Sequence, residues 1–239
     1  APATAAAPDE AAAPDEAAER AAEITAENAA ENAAENAAEN AAVAAPATTL
    51  ADADLPHRRA RPRELRLLYV GRFIYLKGME LGLCAMAALR ARGVAVRLTM
   101  IGQGPQGPRW HRLADALGIA DRVTWIPWMK QDELLAAYAS FDVFLFPSLH
   151  DSSGNVVLEA MAAGLPVVCL DLGGPATMVD AACGRVVAVD WLSEAQVAAG
   201  LGNALHELAG DAALLARLKR GALARAGQFG WRQVVGRVW

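Results

Sequence analysis

From Leu65 onward, short apolar runs alternate with amphipathic stretches, and glycine or proline separates them. Few folds satisfy such a pattern. Runs of four to eight apolar residues without polar alternation belong to strands buried on both faces. Intervening segments with a 3.6-residue period supply the helices that bury them. The pattern predicts strands at Leu65–Val70, 94–101, Val123–Ile126, Val143–Phe146, 165–170 and 185–189. It predicts helices at Met79–Ala91, 108–117, 131–140, 155–164, 193–209, Ala212–Ala226 and 231–239. Met79, Leu83 and Met86 fall on one face of the first helix. Strict strand–helix alternation implies an α/β fold, a doubly wound parallel sheet of Rossmann-like type.

The first 56 residues follow different rules. They carry twelve acids and one base, Arg20, so the chain's formal net charge of −5 belongs to this segment. The remaining residues, 57–239, are mildly basic, which suits an anionic ligand. Two Ala-Pro-Asp-Glu copies precede an Ala-Glu-Asn-Ala repeat with Glu27, Glu31, Glu35 and Glu39 at i,i+4. Each like-charge pair opposes a helix by roughly 0.2–0.5 kcal/mol. With only Ile24, Val43, Leu50 and Leu55 as large apolar residues, this stretch cannot build a core. It reads as a solvated, Ala/Glu/Asn-rich N-terminal extension (helix, tail or linker), and its monotony leaves open whether it is native sequence. Asp52-Ala53-Asp54 has the form of an acidic metal pair, but in an acidic tract solvated charge is the better account. A basic linker, 57–64, leads into the globular part, 65–239.

In a parallel sheet the loops after the strands gather on one edge. Here they carry Gly71-Arg72 with Lys77-Gly78, then Gly102-Gln103-Gly104-Pro105, Asp151 to Asn155, and Gly173-Gly174, the last read as a permissive turn. Gly154, Asn155 and Val156 open the helix after the fourth strand, where free amides and about half a positive charge attract anions. Asp151 and Glu159 frame that helix start. Cations and amides suit a diphosphate, and carboxylates accept from the vicinal hydroxyls of ribose or sugar. Together they describe a nucleotide-sugar pocket.

Several motifs resemble the C-terminal domain of family 4 retaining glycosyltransferases. They are Val70-Gly71-Arg72 with Lys77-Gly78, Ile101-Gly102-Gln103-Gly104-Pro105, Phe146-Pro147-Ser148, the pair Asp151/Glu159 with seven residues between them, and the run from Glu159 to Val168. The resemblance covers Leu65 to the C-terminus. It implies one half of a GT-B fold that binds a UDP- or GDP-sugar and transfers the sugar, with retention, to a glycan or lipid-linked acceptor. It also implies that Arg72 and Lys77 hold the diphosphate, that Glu159 accepts from the ribose and that Asp151 accepts from the donor sugar. Amides of Gly154, Asn155 and Val156 would face the phosphate or sugar, and backbone near Met129 the base. The glycines at 71, 102, 104, 173 and 174 would let backbone approach the ligand. No metal and no resident cofactor are implied, since cations and amides neutralise the leaving diphosphate.

The chain departs from the family at Asp151, where Glu is usual, and the side chain is shorter by roughly 1.5 Å. Asp151 therefore sits closer on its loop or reads a different hydroxyl. Pro127 and Thr177 stand where Gly and Glu are common. His150 beside the acid reads as a locally packed loop histidine. Residues 1–64 contain no counterpart of the family's acceptor domain, so the expectation is donor binding with slow or no transfer unless another chain or segment completes the site. The alternative is a non-catalytic nucleotide-sugar or carbohydrate-binding module. A third reading, an NAD-dependent oxidoreductase, rests on the Gly-x-Gly-x-x-Gly turn at 102–107 with Asp121 as ribose partner. That turn follows the second strand, and Asp121 precedes a strand, so the reading is weak on position. Cys84, Cys169 and Cys183 lack the spacing of a metal site or disulfide framework and read as reduced thiols. A cytoplasmic location with at most peripheral contact at the inner face of a membrane follows, and nucleic acid is not an expected partner.

Overall fold

The computed structural model of the chain describes residues 64–152 and 154–229. The N-terminal extension, all of the basic linker but Glu64, and the helix expected at 231–239 lie outside those residues. Six strands form one parallel sheet: β1 (Leu65–Val70), β2 (Val96–Ile101), β3 (Val123–Ile126), β4 (Val143–Phe146), β5 (Val167–Leu170) and β6 (Gly184–Val187). Their order is β3-β2-β1-β4-β5-β6, the doubly wound, Rossmann-like arrangement expected. The helices are α1 (Met79–Ala91), α2 (Gly107–Ala116), α3 (Gln131–Tyr138), α4 (Asn155–Ala162), α5 (Gly173–Met178), α6 (Glu194–Gly210) and α7 (Ala212–Ala226).

Burial follows position in the sheet. Every residue of β4 and β5 is buried, because helices cover both faces there. The edge strands β3 and β6 are only partly covered. On one face α1 packs against α2 and α6, while α4 and α7 pack together. Met79, Leu83, Met86 and Leu89 line the buried side of α1, all inaccessible to solvent, as the spacing predicts. Two helix starts are sealed locally: Ser193 and Gln196 form a reciprocal capping box on α6, and Asp211 accepts from the Leu214 amide on α7.

The expected boundaries shift where helices close. Residues 94 and 95 do not join β2: the Val94 amide donates to the Leu89 carbonyl and Gly93 sits at φ 74, so this stretch terminates α1. The same closure keeps Leu165 out of β5, through its amide bond to Ala160. Gly173-Gly174 is a correction of another kind. It is not simply a turn but the first residues of the short helix α5, and Pro175 fits there because first-turn amides have no helical partner.

At the amino end of the sheet, Asp142 precedes β4 and ties it to β1 and α7. Its carboxylate accepts from the Arg66 amide and guanidinium, both at 3.1 Å, and from Lys219 Nζ at 3.0 Å. Burial pushes its carboxyl up, but the Arg66 hydrogen bonds and the Lys219 charge outweigh that and hold it below its ordinary value of 3.8. A carboxyl depressed in the folded state stabilises the fold above its unfolded value, and the contribution disappears as pH falls through the folded one. Asp142→Asn is therefore expected to cost about 2 kcal/mol at neutral pH. It should also flatten the loss of stability as pH falls below about 4. Urea unfolding across that range measures both effects.

Candidate functional site

Because β1 pairs with β4 on one side and β2 on the other, the loops after β1 and β4 leave the sheet where the strand order reverses. Open α/β sheets bind ligands in the crevice outside the strand ends at that point. The β1 loop runs from Gly71 through Arg72 and Phe73 to a turn of 3-10 helix, Tyr75–Lys77, closed by Gly78. The β4 loop, 147–154, returns into α4. Gly78 is needed at their crossing: it has φ 62, and a Cβ there would lie 2.0 Å from the Pro147 carbonyl oxygen.

Backbone hydrogen bonds join these loops to their neighbours. Leu149 donates to the Leu76 carbonyl at 2.8 Å, Phe73 to Gln103 at 2.8 Å and Gly174 to Asp151 at 2.9 Å. Gly102, at φ 142, would place a Cβ 2.0 Å from the Gly71 carbonyl oxygen, so the β2 loop lies directly on the β1 loop. The expected set Gly71, Arg72, Lys77, Gly102, Gly104, Asp151, Gly154, Gly173 and Gly174 thus shares one rim.

Asp151 stands where three of these loops meet. Its Oδ2 lies 2.7 Å from Lys77 Nζ, and its Oδ1 accepts from the Gly154 amide at 2.7 Å. The Lys77 and Asp151 side chains are only 15% and 12% exposed. Lys77 Nζ also sits 5.5 Å above the Phe146 ring. One expectation is corrected here: the Gly154 amide does not face an incoming anion, because Asp151 occupies it. Asn155 and Val156 are the first two residues of α4, so their amides have no carbonyl four residues back within the helix.

Glu159 lies in the second turn of α4 and faces α3. Tyr138 Oη donates to its Oε2 at 3.4 Å, and Gln131 Nε2 approaches Oε1 at 3.5 Å. Tyr138 is fully buried, and burial together with the Glu159 charge holds its phenol well above the usual range. Met129, the residue expected near a base, is buried in the loop between β3 and α3, and Gln131 opens that helix. Glu159 therefore faces the helix that the Met129 loop leads into.

Tyr69 and Tyr138 do not stand out in the sequence. Tyr69 is buried in β1 and donates through its hydroxyl to the Arg72 carbonyl at 2.9 Å. Burial raises its phenol, the Asp151 charge raises it further and the Arg72 charge lowers it. Both charged groups thus bear on one hydroxyl. The available signal was the lone aromatic residue of a leucine-rich strand, two residues before Gly71. A shallow groove of about 280 Å³ flanks the rim on the α2 side, between Phe73, Gln103, Pro108, His111, Trp125 and Pro127.

The dinucleotide reading fails on topology. Gly102–Gly107 follows β2, away from the switch point, and Asp121 lies before β3, at the opposite end of the sheet, ion-paired with Arg90 and Arg122. Among the described residues no helix is long and apolar enough to cross a membrane.

Residues 64–211 match the family described as glycosyl transferases group 1. The chain belongs to that family. A D-inositol 3-phosphate glycosyltransferase from Stackebrandtia nassauensis is 38% identical over 181 residues, covering 70% of this chain and 39% of the relative. This group 1 glycosyltransferase domain thus spans less than half the length of the curated relatives it matches. Sucrose-phosphate synthase from Thermosynechococcus elongatus superimposes with a TM-score of 0.64 at 29% identity, over 78% of this chain and 47% of that one. HepE from Anabaena, solved in complex with UDP, superimposes with a TM-score of 0.63 at 20% identity, over 79% of this chain and 53% of that one. The sheet with its covering helices is a Rossmann-like half of a GT-B fold.

Proposed function

We propose that this domain binds the nucleotide-diphosphate sugar of a retaining glycosyltransferase acting on a glycan or lipid-linked acceptor. The observation that carries the reading is the meeting of Lys77, the β1 loop with Arg72, and the start of α4 at the switch point of the sheet. Two cations and the Asn155 and Val156 amides stabilise a diphosphate through charge-assisted hydrogen bonds, each worth about 1.5–3 kcal/mol. The same groups stabilise the negative charge that develops on the diphosphate as the bond to the sugar breaks, and no step in this account requires a metal. Glu159, an acceptor held by the α3 side chains, receives hydrogen bonds from the ribose hydroxyls. The base lies toward the Met129 loop, which precedes α3.

The test is a calorimetric titration of the purified chain with UDP-glucose, GDP-mannose and ADP-glucose. UDP is the first nucleotide to try because HepE, which shares the fold, was solved with it. Saturable binding of one series, weakened at least about tenfold by Glu159→Ala, is the expected result. Absence of binding to all three would overturn the donor reading. A gentler variant probes the support behind Glu159. Tyr138→Phe removes only the hydroxyl and keeps the ring packed 6.3 Å from that of Phe144. It is expected to weaken nucleotide affinity about two- to tenfold with an unchanged midpoint of urea unfolding.

A further inference from the structure

We infer that Asp151 is a positioning residue of the anion site, holding Lys77 and the start of α4 in place, and not a ligand of the donor sugar. The inference rests on the donor-binding reading above and assigns the acid a different role within it. Both carboxylate oxygens are engaged within the protein. Oδ2 faces Lys77 Nζ at 2.7 Å and Oδ1 takes the Gly154 amide at 2.7 Å. Its main-chain carbonyl takes the Gly174 amide at 2.9 Å, so the residue is anchored on the β5 side as well. With the side chain 12% exposed, little of the carboxylate is open to a sugar hydroxyl.

The chemistry of Lys77 explains the arrangement. An ammonium on four methylenes is a mobile charge, and holding it in one place has an entropic cost. Here the carboxylate on one side and the Phe146 ring, 5.5 Å from Nζ, confine it. An ammonium has three N–H donors, so one directed at Asp151 leaves two for a phosphate. The Gly154 contact does the same for the helix. It takes up the amide before the first turn and leaves those of Asn155 and Val156 for the anion. The aspartate is the right length for this task. It caps an amide three residues ahead on its own loop, the usual reach of a short acidic side chain at a helix start. The two negative groups, carboxylate and diphosphate, then share Lys77 between them.

The experiment compares the wild-type chain with Lys77→Ala, Asp151→Asn and the double variant. Binding is measured for UMP, UDP and UDP-glucose, or for the corresponding guanosine compounds where those bind more tightly. A positioning role predicts that Asp151→Asn weakens UDP and UDP-glucose by the same factor, about tenfold, with UMP less affected. The double variant should bind no more weakly than Lys77→Ala. Loss of UDP-glucose affinity with UDP affinity unchanged would overturn the inference in favour of a sugar contact. An equal loss for UMP and UDP would overturn it in favour of general damage to the rim. Thermal unfolding of the four proteins without nucleotide supplies a readout independent of ligand. Non-additive shifts in Tm for the two substitutions support the hold on Lys77, and additive shifts overturn it. If no nucleotide binds the wild type, the donor reading fails by itself, and the unfolding cycle still decides the role of Asp151.

Discussion

Replacing Gly78 by valine is expected to destabilise the chain by about 3 kcal/mol or more, measured as a lower midpoint in urea at unchanged slope. Two costs combine. A residue with a branched side chain held at φ 62 pays for the left-handed backbone, roughly 1–3 kcal/mol. Its Cβ must also leave a position 2.0 Å from the Pro147 carbonyl oxygen, a contact that only movement of the β1 or β4 loop relieves. Both loops carry the site, so the damage is functional as well. Lys77 precedes the substituted residue, and Asp151 lies four residues beyond Pro147. A variant that retains stability within 1 kcal/mol, roughly the spread of an ordinary surface substitution, would show that the crossing of the two loops is not rigid. Gly93 is the natural control. It has φ 74, but nothing lies within 4 Å of a Cβ there, so Gly93→Ala should show the backbone cost alone.

The second large effect is expected at Arg72. Arg72→Ala should lower affinity for a nucleoside diphosphate by about one to two orders of magnitude, the worth of one charge-assisted contact. Affinity for the nucleoside monophosphate should change less, and urea stability little. The carbonyl of residue 72 remains bonded to the Tyr69 hydroxyl whichever side chain it carries, so the loop keeps its course while the charge is lost. Arg72→Lys separates charge from geometry. A guanidinium presents a planar fork and an ammonium a point charge, so recovery of most of the affinity in Arg72→Lys would mean that charge alone is read there. If Arg72→Ala binds the diphosphate as well as the wild type, the β1 loop does not hold the leaving group.

What could be read before folding and what could not differ in sequence range. The apolar run Val143–Phe146 and the periodic face Met79, Leu83 and Met86 are short-range patterns, and both became the buried strand and buried helix face they implied. The rim loops were legible for a related reason: a parallel sheet places every strand-to-helix connection at one end. Tyr138 was not legible. It contacts Glu159 across 21 positions, and buried tyrosines in helices ordinarily serve packing. The Gly173-Gly174 turn misled because two glycines suggest a turn equally well when they open a short helix.

The sequence by itself determined the element types, their alternation and therefore a doubly wound sheet, since the periods of apolar residues are set locally by backbone geometry. It also determined that glycines, cations and acids would line one edge. Only the tertiary structure decided how those groups pair. Lys77 and Asp151 are 74 positions apart, and no local pattern encodes which carboxylate an ammonium meets. That pairing depends on β1 and β4 lying side by side at the strand-order reversal. It depends also on Gly78 letting one loop rest against the backbone of the other.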